Sequence, residues 1–147
     1  MTKILIVDDS ALMRKHLRLI FEESGFDEVR TARNGRDALE QVAAFDPDVV
    51  TLDINMPEMD GLTCLAEIMS ETPRPVVMVS SLTSESASVT LEAMQLGAVD
   101  YVEKPGGTVS LNIGTIRDEM VEKVRFSKER VTPFQNNGLR VTRDLIV

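Results

Sequence analysis

The sequence predicts an α/β fold, a five-stranded doubly wound parallel sheet, and three observations carry that prediction. Short apolar runs alternate with stretches of helical periodicity five times along the chain. Three of the runs, Ile4-Leu5-Ile6-Val7, Asp48-Val49-Val50-Thr51-Leu52 and Pro75-Val76-Val77-Met78-Val79, are apolar almost without a break, as strands covered on both faces require. Each run also ends at a residue able to do chemistry: Asp8 and Asp9, then Asp53, then Ser80. A further run, Ala98-Val99-Asp100-Tyr101-Val102, leads to Lys104-Pro105.

The helices follow from spacing. After Asp9 and a candidate N-cap at Ser10, Met13, Leu17 and Ile20 recur along one helical face. A more polar strand near 28–32 follows Gly25 and suits an edge of the sheet. A helix over 35–44 stops before Asp46-Pro47, and one over 62–70 stops before Pro73 and Pro75. Ala87, Leu91 and Met94 predict the buried face of a helix over 84–96, closed by Gly97. A last helix is expected on Ile113, Ile116, Met120 and Val124. The crossover at each helix is expected to be right-handed.

A chain of 147 residues is long enough for one domain with a real core. Its 43% hydrophobic and 27% charged content is that of a globular rather than a disordered chain. No apolar run approaches the roughly 18 residues of a membrane span, and no signal-peptide pattern opens the chain, so a cytoplasmic location without membrane insertion is expected. Residues 1–105 carry a net charge of −10 and residues 106–147 a net of +2. So acidic a body argues against nucleic acid as a partner. Cys64, the single cysteine, excludes an internal disulfide and reads as a small buried side chain. His16, among Arg14, Lys15 and Arg18, reads as part of a solvated helix face, and the eight methionines as core filler.

Beyond residue 126 the chain turns polar, with Pro133 and Asn136-Asn137-Gly138, and 127–142 reads as a linker. It turns apolar again at Leu145-Ile146-Val147. That suggests one folded domain over 1–126 and, at 143–147, the first residues of a further domain of a longer protein.

In a parallel sheet, the strand-end residues meet at the carboxyl edge, where open α/β folds bind ligands. Mg²⁺ prefers oxygen ligands, one or two of them carboxylates, with phosphate completing the shell. Asp9 and Asp53 can supply carboxylates, the Asn55 backbone carbonyl a third oxygen, and Asp8 a contact through water. Asp53 is then a candidate nucleophile toward a phosphoryl group, with Lys104 and Ser80 holding phosphoryl oxygens. Taken singly, each aspartate reads more readily as a turn former or helix cap than as a site residue. Their convergence on one edge favours the site.

The set Val7-Asp8-Asp9-Ser10, Leu52-Asp53-Ile54-Asn55-Met56-Pro57 with Asp60-Gly61, Ser80 and Lys104-Pro105 resembles the receiver domain of two-component response regulators over about 3–126. The resemblance implies a flavodoxin-like (βα)5 sheet of strand order 2-1-3-4-5. It implies that Asp53 accepts a phosphoryl group from a histidine kinase with Mg²⁺ as cofactor, that Ser80 is the switch hydroxyl, with Ser81 a rival, and that Tyr101 is the switch aromatic. Segments 74–83 and 96–105 are similar, more narrowly, to the regulatory domain of the chemotaxis protein-glutamate methylesterases, which also deamidate receptor glutamines. That likeness implies a chemotaxis-type kinase, chemoreceptors engaged through the full-length protein, and a C-terminal effector domain that this one inhibits. The chain has no G-x-S-x-G turn and no histidine but His16, so the esterase chemistry is not in these residues. A stand-alone or DNA-binding response regulator would carry the same acceptor site. A phosphatase of the haloacid dehalogenase type would need a second aspartate where Asn55 stands.

Overall fold

The structure, a computed structural model, describes residues 2–56, 59–80, 84–104 and 117–136. Five strands and five helices alternate: β1 Lys3–Val7, α1 Ala11–Glu23, β2 Glu28–Ala32, α2 Gly35–Phe45, β3 Val49–Asp53, α3 Gly61–Glu71, β4 Val76–Ser80, α4 Ser84–Leu96, β5 Asp100–Glu103 and α5 Arg117–Asn136. All strand pairs are parallel, in the order β2-β1-β3-β4-β5. The fold class and strand order are those expected, and the polar strand β2 does lie at an edge.

Alternation along the strands divides the core in two. Ile4, Ile6, Val49, Val77, Val79 and Val102 face α1 and α5, where Met13, Leu17, Ile20, Phe21, Met120, Val121 and Val124 cover them. Leu5, Val7, Val50, Leu52, Val76 and Met78 face the other way, against α2, α3 and α4. The α1 spacing read from sequence is the buried one, and each large side chain it removes from water contributes about 1.5–3 kcal/mol. Phe21 adds an edge-on contact with Phe26, ring centroids 5.0 Å apart.

Caps fix where the helices begin. Ser10 Oγ accepts the Met13 N–H, Asn34 Oδ1 the Asp37 N–H, and Asp60 Oδ1 the Thr63 N–H. Because Ser10 caps α1, the carboxylates of Asp8 and Asp9 are left for other work. Asp46, at φ 53°, and Gly97, at φ 119°, turn the chain out of α2 and α4.

Two expectations need correction. Among the described side chains of α4, Thr90 and Ala93 are buried and Met94 packs partly buried against the core as expected, whereas Ala87 is exposed and Leu91 is 63% exposed. Small side chains let this helix lie close to the sheet, and the apolar periodicity of its larger residues misplaces its face by about one residue. α5 runs to Asn136, so 127–136, read as a linker, are helical. Lys128, Glu129 and Arg130 are good helix formers, and their polarity hid that from a reading based on apolar spacing. Ile113, Ile116, Ser81 and residues 137–147 lie outside the described residues.

Gly61 binds α3 to the end of β3. Its N–H donates to the Ile54 carbonyl at 2.8 Å, and a Cβ placed on it would fall 2.4 Å from the Asp53 carbonyl oxygen and 2.7 Å from Ile54 Cα. Both are backbone atoms, which cannot step aside as a side chain can. Gly61→Ala is therefore expected to destabilise the fold by about 3 kcal/mol in urea unfolding, and a loss under ~0.5 kcal/mol would contradict this packing.

Candidate functional site

Backbone hydrogen bonds carry the strands' register one residue past their ends. Asp8 N–H donates to Ala32 O, Ile54 N–H to Val79 O, and Lys104 N–H to Ser80 O at 2.7 Å. Leu52 pairs with Val7, Asp53 with Val79, and Ser80 with Glu103. Asp8, Asp53, Ser80 and Lys104 thus stand on four adjacent strands at one edge.

Asp8 and Asp53 are almost fully buried, at 1% and 2% exposure, whereas Asp9 is exposed. Each of the three offers a carboxylate oxygen within 4.8 Å of the others. Lys104 Nζ lies 3.2 Å from Asp8 Oδ2 and 3.2 Å from Asp53 Oδ2, one ammonium between two carboxylates. The ammonium is also the donor to both Oδ2 atoms, and among the described residues no other donor reaches either. The other oxygens are directed: Asp8 Oδ1 accepts the Ser10 N–H at 2.9 Å, and Asp53 Oδ1 the Asn55 N–H at 3.3 Å.

One lysine does not neutralise this cluster. Burial first, then the charge of Asp8, pushes the Asp53 carboxyl up to about 7 against the pull of Lys104. Burial raises Asp8 too, opposed by Lys104 and the Ser10 N–H. For Lys104, burial alone would favour the neutral amine, but the two carboxylates outweigh it and hold the ammonium above its ordinary range. A buried pair of oxygens served by one shared ammonium, in a cluster of three carboxylates short of positive charge, fits a hard divalent cation such as Mg²⁺.

Ser80 is 3% exposed, and its Oγ accepts a hydrogen bond from Thr90 Oγ1 of α4 at 3.3 Å. Tyr101 stands apart from the acids. It is 40% exposed, Lys123 Nζ lies 5.2 Å from its ring centroid, and the same ammonium donates to the Tyr101 carbonyl at 2.7 Å. Asn55 is exposed, and its N–H is the group that reaches Asp53. The Lys104–Pro105 peptide lies outside the described residues.

Three contacts at the site escaped the sequence reading. Arg14, taken there as part of a solvated face, donates to the Asp8 carbonyl at 2.8 Å. Thr90 and Lys123 touch Ser80 and Tyr101 from helices, and no local spacing signals contacts between residues so far apart in the chain. Cys64 is buried as expected, its thiol pushed up to about 12, mainly by burial, and so unreactive.

An acid whose pKa rises on folding favours the folded state least when it must ionise. For Asp53 the cost grows as pH rises from about 4 to about 7 and is constant above. Without divalent cations, Asp53→Asn is expected to stabilise the chain by on the order of 2 kcal/mol at pH 8 and hardly at all near pH 4. Denaturant unfolding at the two pH values measures this, and an equal effect at both would contradict it.

Comparison with known proteins agrees with the geometry. The family model described as the response regulator receiver domain matches residues 4–112. The protein-glutamate methylesterase/protein-glutamine glutaminase 3 of Rhodospirillum rubrum is 64% identical over 124 residues, which cover 84% of this chain and 34% of that protein. The corresponding protein 1 of Oleidesulfovibrio alaskensis is 56% identical over 134 residues, 90% of this chain and 36% of that protein. The chain thus spans about a third of the length of these relatives. The crystal structure of the response regulator domain of Thermotoga maritima CheB superposes with a TM-score of 0.81 at 41% identity, covering 87% of this chain and 96% of that one. No described helix is long and apolar enough to cross a membrane. With four functional groups on adjacent strand ends and a family match over most of its length, this chain belongs to the response regulator receiver domains.

Proposed function

We propose that the chain is the phosphoacceptor of a two-component chemotaxis system, with Asp53 as the residue phosphorylated. The observation that supports this most is the position of Asp53: buried at the carboxyl edge, its Oδ2 facing the Lys104 ammonium and reached by no other donor among the described residues. Asp53 attacks the phosphorus of a phosphohistidine on a histidine kinase. The P–N bond breaks as an acyl phosphate forms. Asp8, Asp9, Asp53 and the carbonyl of Asn55 would hold Mg²⁺, which supplies charge to the transferring oxygens. Lys104, already between Asp8 and Asp53, moves with its charge onto a phosphoryl oxygen, and Ser80 donates its hydroxyl to another.

The downstream role is that of the relatives' regulatory part. Receivers of methylesterase/glutaminases of this kind lie beside a C-terminal effector, and here residues 143–147 would begin it. Before phosphorylation the domain covers and inhibits the effector; the Ser80 and Tyr101 rearrangement releases it to act on chemoreceptors. Localisation in the cytoplasm follows from such partners.

The test is phosphoryl uptake from acetyl phosphate, read by intact-mass spectrometry. The chain is expected to take up one phosphoryl group in Mg²⁺ and none in chelator, while Asp53→Asn folds and takes up none. Uptake by Asp53→Asn at the wild-type rate would remove Asp53 from the reaction.

A further inference from the structure

Thr90 occupies a place where an apolar residue would be the simpler choice. It sits inside α4 at 8% exposure, and among the described side chains of that helix only Thr90 and Ala93 are buried. A β-branched residue is a mediocre helix former, and a buried hydroxyl needs a partner. Its partner is the Ser80 hydroxyl, 3.3 Å away and itself buried at 3%. α1, by contrast, is anchored by the four large buried side chains of Met13, Leu17, Ile20 and Phe21. α4 presents Leu91 and Leu96 to solvent, 63% and 40% exposed, and holds the core through Ala93 and the partly buried Val89 and Met94. The Thr90–Ser80 contact is, among the described residues, its side-chain hydrogen bond to the last residue of β4.

We propose that Thr90 is a positioning residue that holds the Ser80 hydroxyl in the resting state, so that Ser80 bonds either to Thr90 or to the phosphoryl group, and α4 is released by the exchange. This rests on the reading of Asp53 as phosphoacceptor and Ser80 as the hydroxyl that meets its phosphoryl group. The competition is one of rotamer rather than of bonding capacity, since a hydroxyl that accepts from Thr90 still has its own O–H to donate. The Thr90 contact is already long at 3.3 Å, and turning Ser80 from α4 toward Asp53 breaks it. The Thr90 hydroxyl is then left with a carbonyl of its own helix, the partner a helical threonine has within reach. The lost Ser80 bond disfavours the engaged state until α4 shifts. Without the Thr90 hydroxyl there is no such bond to lose, so its removal should tighten binding at a site it does not touch.

The experiment uses beryllofluoride with Mg²⁺, a non-covalent stand-in for the phosphoryl group, titrated calorimetrically into the 147-residue chain. Emission from Tyr101, the sole tyrosine in a chain without tryptophan, gives a second readout beside α4. Thr90→Val and Thr90→Ala are expected to bind about threefold to tenfold more tightly than wild type, the effect of losing one buried hydrogen bond. Thr90→Ser, which restores a hydroxyl, should return to the wild-type affinity. If Thr90→Val fails to fold, Thr90→Ala carries the test. Wild-type affinity in the hydroxyl-free variants, with or without a lower melting temperature, would overturn the proposal and leave the phosphoacceptor reading standing. If wild type and Asp53→Asn alike bind no beryllofluoride, the phosphoacceptor reading fails and the role of Thr90 falls with it.

Discussion

One ammonium shared between two buried carboxylates organises the functional edge of this molecule. Lys104 lies 3.2 Å from both Asp8 and Asp53, and the three groups leave one negative charge uncompensated when all are ionised, before Asp9 is counted. A cluster of that kind would not persist on stability alone, since burying charge costs more than an imperfect pairing returns. It persists because the surrounding sheet over-determines it. Asp8 is fixed by its backbone bond to Ala32 and by Ser10, Asp53 by the register of β3 with β4, and Lys104 by its backbone bond to Ser80. Under the proposed function, that incompleteness leaves a place for a cation, whose charge the cluster lacks, and for a phosphoryl group.

The topology explains why the groups meet. In a sheet ordered β2-β1-β3-β4-β5 with all strands parallel, the ends of β1, β3, β4 and β5 are consecutive neighbours. Residues separated by up to 96 positions in the chain then share one edge without any long loop reaching across. The helices on the two faces take the apolar load, leaving the edge free for polar residues. Gly61 adds a local constraint, since α3 starts so close to the Asp53 backbone that no larger residue fits.

Much of this was legible in the sequence because it depends on period and position. Uninterrupted apolar runs identify β1, β3 and β4, and the residue at the end of each run identifies the edge. Proline and glycine boundaries place α2, α3 and α4 to within a residue or two. What stayed hidden depends on contacts that period does not encode. α4 buries Thr90 and Ala93 rather than Ala87 and Leu91, because closeness to the sheet selects small residues there. The helix over 127–136 stayed hidden for another reason: polar helix formers such as Lys128, Glu129 and Arg130 give no apolar period to read. Arg14 and Lys123 act on backbone carbonyls, and such partners leave no trace in residue type.

The cluster is electrostatically incomplete, and burial pushes the Asp53 carboxyl up to about 7. The most direct measurement is the shift in melting temperature on adding Mg²⁺, taken at pH 6 and at pH 8. Binding to the folded state raises the melting temperature, and ligation requires the ionised carboxylate. The expected result is a stabilisation at pH 8 that shrinks markedly at pH 6, where the proton competes with the metal. A melting temperature indifferent to millimolar Mg²⁺ at pH 8 would contradict the account.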